Sequence, residues 1–192
     1  MKALIVYAHP KEGSFCEAVR LAVEEELRRR GASCEVEDLY AQGFDPLLTA
    51  EEQAGAFKGM FPEDVRRAQA RVAEADLLVL VHPLWWSSVP AILKGWIDRV
   101  LAYGFAYDFG DGMRGLLKGK RVALFTSTGA PEEVLRQGGT LDALKVFLDE
   151  GVFGSCGMEV VLHRYLFGPC GASDEERRVM LETVRRDAQT LA

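Results

Sequence analysis

Three short stretches carry the residue types that could do chemistry. They are His9-Pro10-Lys11-Glu12-Gly13-Ser14-Phe15, His82-Pro83-Leu84-Trp85-Trp86-Ser87-Ser88 and Thr126-Ser127-Thr128-Gly129-Ala130-Pro131. Each follows an apolar, β-branched run and so reads as the loop at the carboxyl end of a strand. The first runs into a helix capped by Ser14, with Glu17 three residues on in the capping-box position. Free N–H groups and the dipole at such a helix start hold phosphate; Ser14 adds a hydroxyl and His9 a proton donor. The second loop offers the flat faces of Trp85 and Trp86, more apolar area than a loop without a ligand or partner accounts for. The third offers hydroxyls and Gly129, where backbone can approach a ring edge. A phosphate grip, an aromatic wall and a polar edge together suit a flat heteroaromatic ring bearing a phosphate, which is a flavin. No single loop is specific; the ordered set of three is.

Other chemistries lack their signatures. The chain has no GxGxxG fingerprint and no Walker A sequence. Its four cysteines, Cys16, Cys34, Cys156 and Cys170, form no CxxC pair, and three scattered histidines complete no metal set. Reduced thiols in a cytoplasm are the expectation. A net charge of −6 argues against nucleic acid as a partner. No run reaches the ~18 apolar residues of a membrane span, and the N-terminal run is expected to be a first strand rather than a signal peptide. Several polar residues read as structural. His82 caps the end of its strand, and His163 is structural rather than catalytic. Cys156 and Cys170 are inert thiols. Glu132-Glu133 is a loop or helix-start charge pair, and Glu175 to Arg178 is a solvated helix face.

The elements that must position these loops follow from periodicity. Lys2 to Ala8 is a first strand and Ser14 to Arg30 a helix, with Arg28, Arg29 and Arg30 in its last turn and Gly31 closing it. Ser33 to Leu39 is a second strand. Residues 40–61 read as a loop with a short helix near Thr49 to Phe57, and Pro62 to Ala75 as the next helix. Leu77 to Val81 is a third strand, and Pro90 opens an amphipathic helix to Ala102. Tyr103 to Lys120, rich in Gly and aromatics, is a functional excursion. Arg121 to Thr126 is strand four, Thr140 to Glu150 a helix, Met158 to Leu162 strand five, and Ser173 caps a last helix to about Leu191. This alternation predicts one domain over residues 1–192. It is expected to be a three-layer, doubly wound parallel sheet of five strands in the flavodoxin-like order 2-1-3-4-5, with the ligand crevice between strands 1 and 3.

Tyr7-Ala8-His9-Pro10 with Ser14-Phe15 resembles the start of the NAD(P)H:quinone oxidoreductases and their bacterial flavodoxin-like relatives. Pro83-Leu84 with Trp86, then Val89-Pro90-Ala91-Ile92-Leu93-Lys94-Gly95-Trp96, is similar to that family's most recognisable stretch. Gly104-Phe105-Ala106-Tyr107 and Thr126-Ser127-Thr128-Gly129 extend the match. The resemblance implies a homodimeric flavoenzyme, carrying FMN or FAD, that passes hydride from NADH or NADPH to a quinone or similar acceptor. It implies that His9, Ser14, Phe15 and Cys16 line the flavin phosphates. Pro83, Leu84, Trp85 and Trp86 would lie along the isoalloxazine, with Thr126, Ser127, Thr128 and Gly129 at its edge. Tyr107, with Phe109 beside it, matches aromatics that the family places over the partner subunit's flavin. Two departures stand out. Cys16 occupies a position where the family often has Asn, which leaves FMN and FAD both open. The segment Gly129 to Leu141 lacks the Tyr and His of the animal enzymes, so no protein acid or base is assigned. A flavodoxin-type electron carrier, or a regulatory flavoprotein subunit of a potassium-efflux system, is the competing expectation.

Overall fold

The computed structural model describes residues 1–192. In chain order the elements are β1 (Lys2–Tyr7), α1 (Phe15–Arg29), β2 (Ser33–Asp38), α2 (Ala50–Ala56), α3 (Glu63–Glu74), β3 (Leu77–Pro83) and α4 (Ala91–Val100). A small hairpin follows, β4 (Tyr107–Gly110) with β5 (Gly112–Gly115). Then come β6 (Arg121–Thr128), α5 (Glu132–Gln137), α6 (Thr140–Leu144) with a π-helical continuation Lys145–Gly154, β7 (Glu159–Phe167) and α7 (Asp174–Leu191). The main sheet is parallel throughout, in the order β2-β1-β3-β6-β7. With the hairpin strands left out, this is the expected 2-1-3-4-5.

Because strand side chains alternate, the sheet splits the core in two. Ala3, Ile5, Tyr7, Val79, Val81 and Phe125 pack beneath α1 and α7. Leu4, Val6, Leu80 and Leu124 meet Val72 of α3, Leu93 and Trp96 of α4, and Leu148 and Phe153 of the π-helical stretch. A strand buried on both faces, like β3, needs a continuous apolar run.

β3 and β6 each run two residues past their expected ends, and a short helix, α5, follows Pro131 where a loop was expected; three further differences have a physical reason. β7 continues to Phe167 rather than stopping at Leu162. Its polar residues are satisfied in place: Arg164 makes a bidentate pair with Asp187 of α7 at 2.6 and 2.9 Å, and His163 joins a buried network described below. The excursion holds the antiparallel β4–β5 hairpin, turning at Asp111-Gly112, with Asp108 and Arg114 paired across it. Gly115 at its base abuts the Cys156–Gly157 backbone, where a Cβ could not fit. The helix beginning at Thr140 widens into π turns. Gly151 permits this, because a Cβ there would fall 2.9 Å from the Val146 carbonyl oxygen.

The irregular segment after β2 is tied down by a buried cation. Arg99 of α4 is held by Glu52 at 2.9 Å and Asp64 at 2.8 Å, and donates to the Asp45 carbonyl at 2.7 Å. Replacing one partner of such a buried pair leaves the other desolvated and unmatched. Arg99→Ala is therefore expected to lower stability by about 3–5 kcal/mol, whereas Arg99→Met with Glu52→Gln recovers most of it. Urea unfolding measures this; a loss below about 1 kcal/mol for Arg99→Ala would show that the 45–64 segment is held by other contacts.

Candidate functional site

The carboxyl ends of β1, β3 and β6 open on a cavity of about 460 Å³. The structure brings ten of the expected site residues to its walls: His9, Ser14, Phe15, Cys16, Pro83, Leu84, Trp85, Ser127, Thr128 and Gly129. At one end lies the start of α1. Ser14 is its N-cap, with Oγ accepting the Glu17 N–H at 3.1 Å. The Phe15 and Cys16 N–H groups, in the first turn, have no intrahelical acceptor. The buried Tyr7 hydroxyl lies 3.1 Å from Ser14 Oγ, so the cap hydroxyl is fixed from below. Cys16 Sγ sits 3.0 Å from Ser127 Oγ and ties α1 to the end of β6. His9 Nδ1 accepts the Lys11 N–H at 3.1 Å. In the neutral ring that leaves the proton on Nε2, which becomes the free donor. Its ring stands 6.1 Å from that of Trp85.

Two expected site residues lie off this cavity. Thr126 is fully buried, its hydroxyl 3.2 Å from both His82 Nε2 and His163 Nε2; it faces the layer of α4 and the π-helical stretch rather than the crevice. Trp86 is fully exposed. Trp85 and Ser88 exchange both backbone hydrogen bonds at 2.9 and 3.0 Å, and Trp86 and Ser87 between them have φ of 51° and 57°. This is the type I′ turn, whose two central residues both need positive φ. The turn throws the Trp86 indole outward and leaves Trp85 as the wall. The Thr128 hydroxyl donates to the Ala130 carbonyl at 2.8 Å, so the third loop offers the cavity mainly its Ser127 hydroxyl and the open backbone at Gly129. Tyr107 stands outside the cavity, in an aromatic cluster with Tyr103, Phe109 and Phe57.

Sequence reasoning missed Lys11, Gly13, Pro169, Cys170 and Arg177, which also line the cavity. Arg177 corrects the reading of 175–178 as a wholly solvated face. Arg178 pairs with Glu175 at the surface. Arg177 pairs with Asp174 at 2.6 Å but also reaches inward, donating to the Pro169 and Ala172 carbonyls at 3.1 and 2.5 Å and lining the cavity. The signal for it was weak: a loop of Gly and Pro after β7, followed by the first turn of a capped helix. Lys11 and Arg177 give an acidic chain a local cationic end to its crevice.

The thiols differ by environment. Burial pushes Cys16 and Cys156 up to about 11, while Cys170 is exposed. The thiolate is the reactive form, so burial leaves Cys16 and Cys156 inert, whereas the exposure of Cys170 runs against its reading as an inert thiol. An aromatic disulfide reagent is expected to label Cys170 first and to leave Cys16 and Cys156 unmodified in the folded protein. Equal labelling rates, mapped by peptide mass, would contradict this packing.

Comparison with known proteins agrees with this architecture. A family model described as flavodoxin-like fold matches residues 1–187. An uncharacterized NAD(P)H oxidoreductase of Haemophilus influenzae is 38% identical over 192 residues, covering 98% of this chain and 95% of that one. The structure of an NAD(P)H:quinone oxidoreductase from Methanothermobacter marburgensis superposes with a TM-score of 0.91 at 32% identity, covering 100% and 99% of the two chains. The general stress protein 14 of Treponema denticola, solved in complex with FMN, superposes at 0.70 with 26% identity, over 100% and 97%. With this coverage, the chain belongs to the flavodoxin-like family that includes the NAD(P)H:quinone oxidoreductases, and it is an oxidoreductase.

Proposed function

We propose that this chain binds a flavin in the crevice between β1, β3 and β6 and transfers hydride from NADH or NADPH to a quinone-type acceptor. The observation that carries the reading is the crevice itself. One end gathers the α1 N-terminus, Lys11 and Arg177; the other presents Pro83, Leu84 and Trp85. The residues fit the group. A phosphate would take the Phe15 and Cys16 N–H groups and the two cations. A flat ring would lie against Trp85 and the Pro83-Leu84 wall, with Gly129 backbone at its edge. Ser14 keeps the α1 start in place, and His9 contributes its Nε2–H. The bound flavin would supply two-electron chemistry; the protein supplies binding, orientation and electrostatics. The relatives' names support the acceptor class, and a complex with FMN on this fold supports the cofactor.

A second copy of the chain completes the reading. Phe57, Phe109 and Met113 are more than half exposed and, with Met60 and Trp86, surround the hairpin and the crevice rim. So much aromatic surface around a crevice marks an interface, and a two-fold dimer is the common way to cover it. Tyr107 and Phe109 of one subunit would then stand over the crevice of the other, walling a nicotinamide pocket. Such a wall favours an enzyme over an electron carrier.

Nicotinamide and acceptor would take turns in one pocket, so initial rates are expected to give parallel double-reciprocal lines; intersecting lines would count against a shared pocket. Arg177→Ala is expected to weaken FMN affinity about ten- to a hundredfold, as for a lost charge-assisted contact. Ser14→Asp, which sets an anion at the phosphate position, should weaken it at least as much. Titration of the flavin-free protein with FMN measures both, and unchanged affinities would place the phosphate elsewhere. Sedimentation equilibrium is expected to give twice 21.2 kDa.

A further inference from the structure

A buried polar chain runs beneath the carboxyl ends of β3, β6 and β7, and the function above makes no use of it. His82 Nδ1 lies 3.0 Å from the Pro83 carbonyl oxygen, and its Nε2 lies 3.2 Å from Thr126 Oγ1. The same Thr126 Oγ1 is 3.2 Å from His163 Nε2. His163 Nδ1 is 2.8 Å from Asp149 Oδ1, with the Tyr165 hydroxyl as a longer second neighbour at 3.3 Å. The Tyr165 ring stacks on the His163 ring at 4.2 Å. His82 and Thr126 are fully buried.

Satisfying every link at once fixes its direction. A carbonyl oxygen only accepts, so His82 donates from Nδ1. Burial holds His82 down to about 4 and therefore neutral, which leaves Nε2 a lone pair. The Thr126 hydroxyl has one proton and gives it to that lone pair. It must then accept from His163, which donates from Nε2. One proton remains between His163 Nδ1 and Asp149. Turning the Thr126 proton toward His163 instead would leave the buried His82 Nε2 lone pair facing the hydroxyl oxygen with no proton between them.

The far end of this chain meets the crevice wall. The peptide between Pro83 and Leu84 is held by both of its polar groups. Its carbonyl accepts from His82, and its N–H donates to the Ser127 carbonyl at 2.7 Å. Pro83, Leu84 and Ser127 all line the cavity. The near end depends on an irregularity: Asp149 reaches His163 from the π-helical stretch, a distortion that recurs at functional positions. Apolar residues would fill the same space without the cost of burying His82, Thr126 and His163.

The geometry points to Thr126, His82, His163 and Asp149 as positioning residues, a one-directional hydrogen-bond relay that orients the Pro83–Leu84 peptide against which the ligand ring lies. None of the four touches the cavity, so each acts through that peptide. The assignment of the ring as a flavin rests on the function proposed above; the relay does not.

The test uses full-length protein labelled with 15N-histidine, with FMN as the ligand. The ring nitrogens of His82 are expected to report a neutral Nδ1–H tautomer, with or without FMN. Thr126→Val keeps the shape and removes the link. It is expected to weaken FMN binding about tenfold and to shift the His82 nitrogens, while Thr126→Ser restores both. Asp149→Asn keeps the shape at the distant end and is expected to shift the His82 nitrogens although the two side chains are not in contact. It serves as the second variant if Thr126→Val does not fold. A His82 proton on Nε2, wild-type FMN affinity in Thr126→Val, or unmoved His82 signals in Asp149→Asn would each overturn the relay. Failure of the wild-type protein to bind FMN would sink the flavin reading instead, and the nitrogen shifts would still decide the relay.

Discussion

Parallel strands covered on both faces leave their backbone groups no partners but one another, and this constraint organises the molecule. It aligns the carboxyl ends of β1, β3 and β6 along one edge of the sheet. Their loops, gathered at that edge, carry backbone groups outside the ladder and open on the cavity. The constraint also explains why the crevice residues are far apart in sequence. Parallel pairing needs a helical crossover between neighbouring strands, so each wall comes from a different crossover. The Cys16 to Ser127 contact, beside the α1 start, joins residues whose separation spans more than half the chain.

Much of this was legible because it follows from local rules. Residues 3–7, 77–81 and 122–125 are uninterrupted apolar runs, and Ser14 and Ser173 both cap their helices; the full capping box forms only at Ser173, because Glu17 accepts the Gly13 N–H instead. What was illegible depended on a distant partner. His163 and Arg164 look like the end of a strand until Asp149 and Asp187 are placed beside them. The hairpin in the excursion carried a readable Asp111-Gly112 turn signal, yet its strands are four residues long and polar enough to hide in a Gly-rich run.

The site divides the same way. Loop residues next to strand ends were readable by position, so His9, Ser14, Pro83 and Gly129 fall on the cavity as expected. Orientation was not readable. Thr126 and Ser127 are neighbours on one strand, and alternation sends one hydroxyl into the buried layer and leaves the other on the crevice. Trp85 and Trp86 diverge because Trp86 is itself a central, positive-φ residue of the turn that Trp85 and Ser88 close. A charge such as Arg177, set among other charges, gives no sign in its own neighbourhood that it turns inward.

Arg177 also has a consequence for how the molecule comes into being. It is the only cation in the crevice besides Lys11, and it sits in the first turn of the last helix. A chain emerging from the ribosome offers its first domain segments for folding well before its last. The residues of the aromatic wall and of the α1 cap are therefore synthesised early, while Arg177 joins the crevice only when α7 packs on α1. An anionic ligand held there would meet both cations only once synthesis is nearly complete. A product truncated before α7 would carry the wall without the full grip.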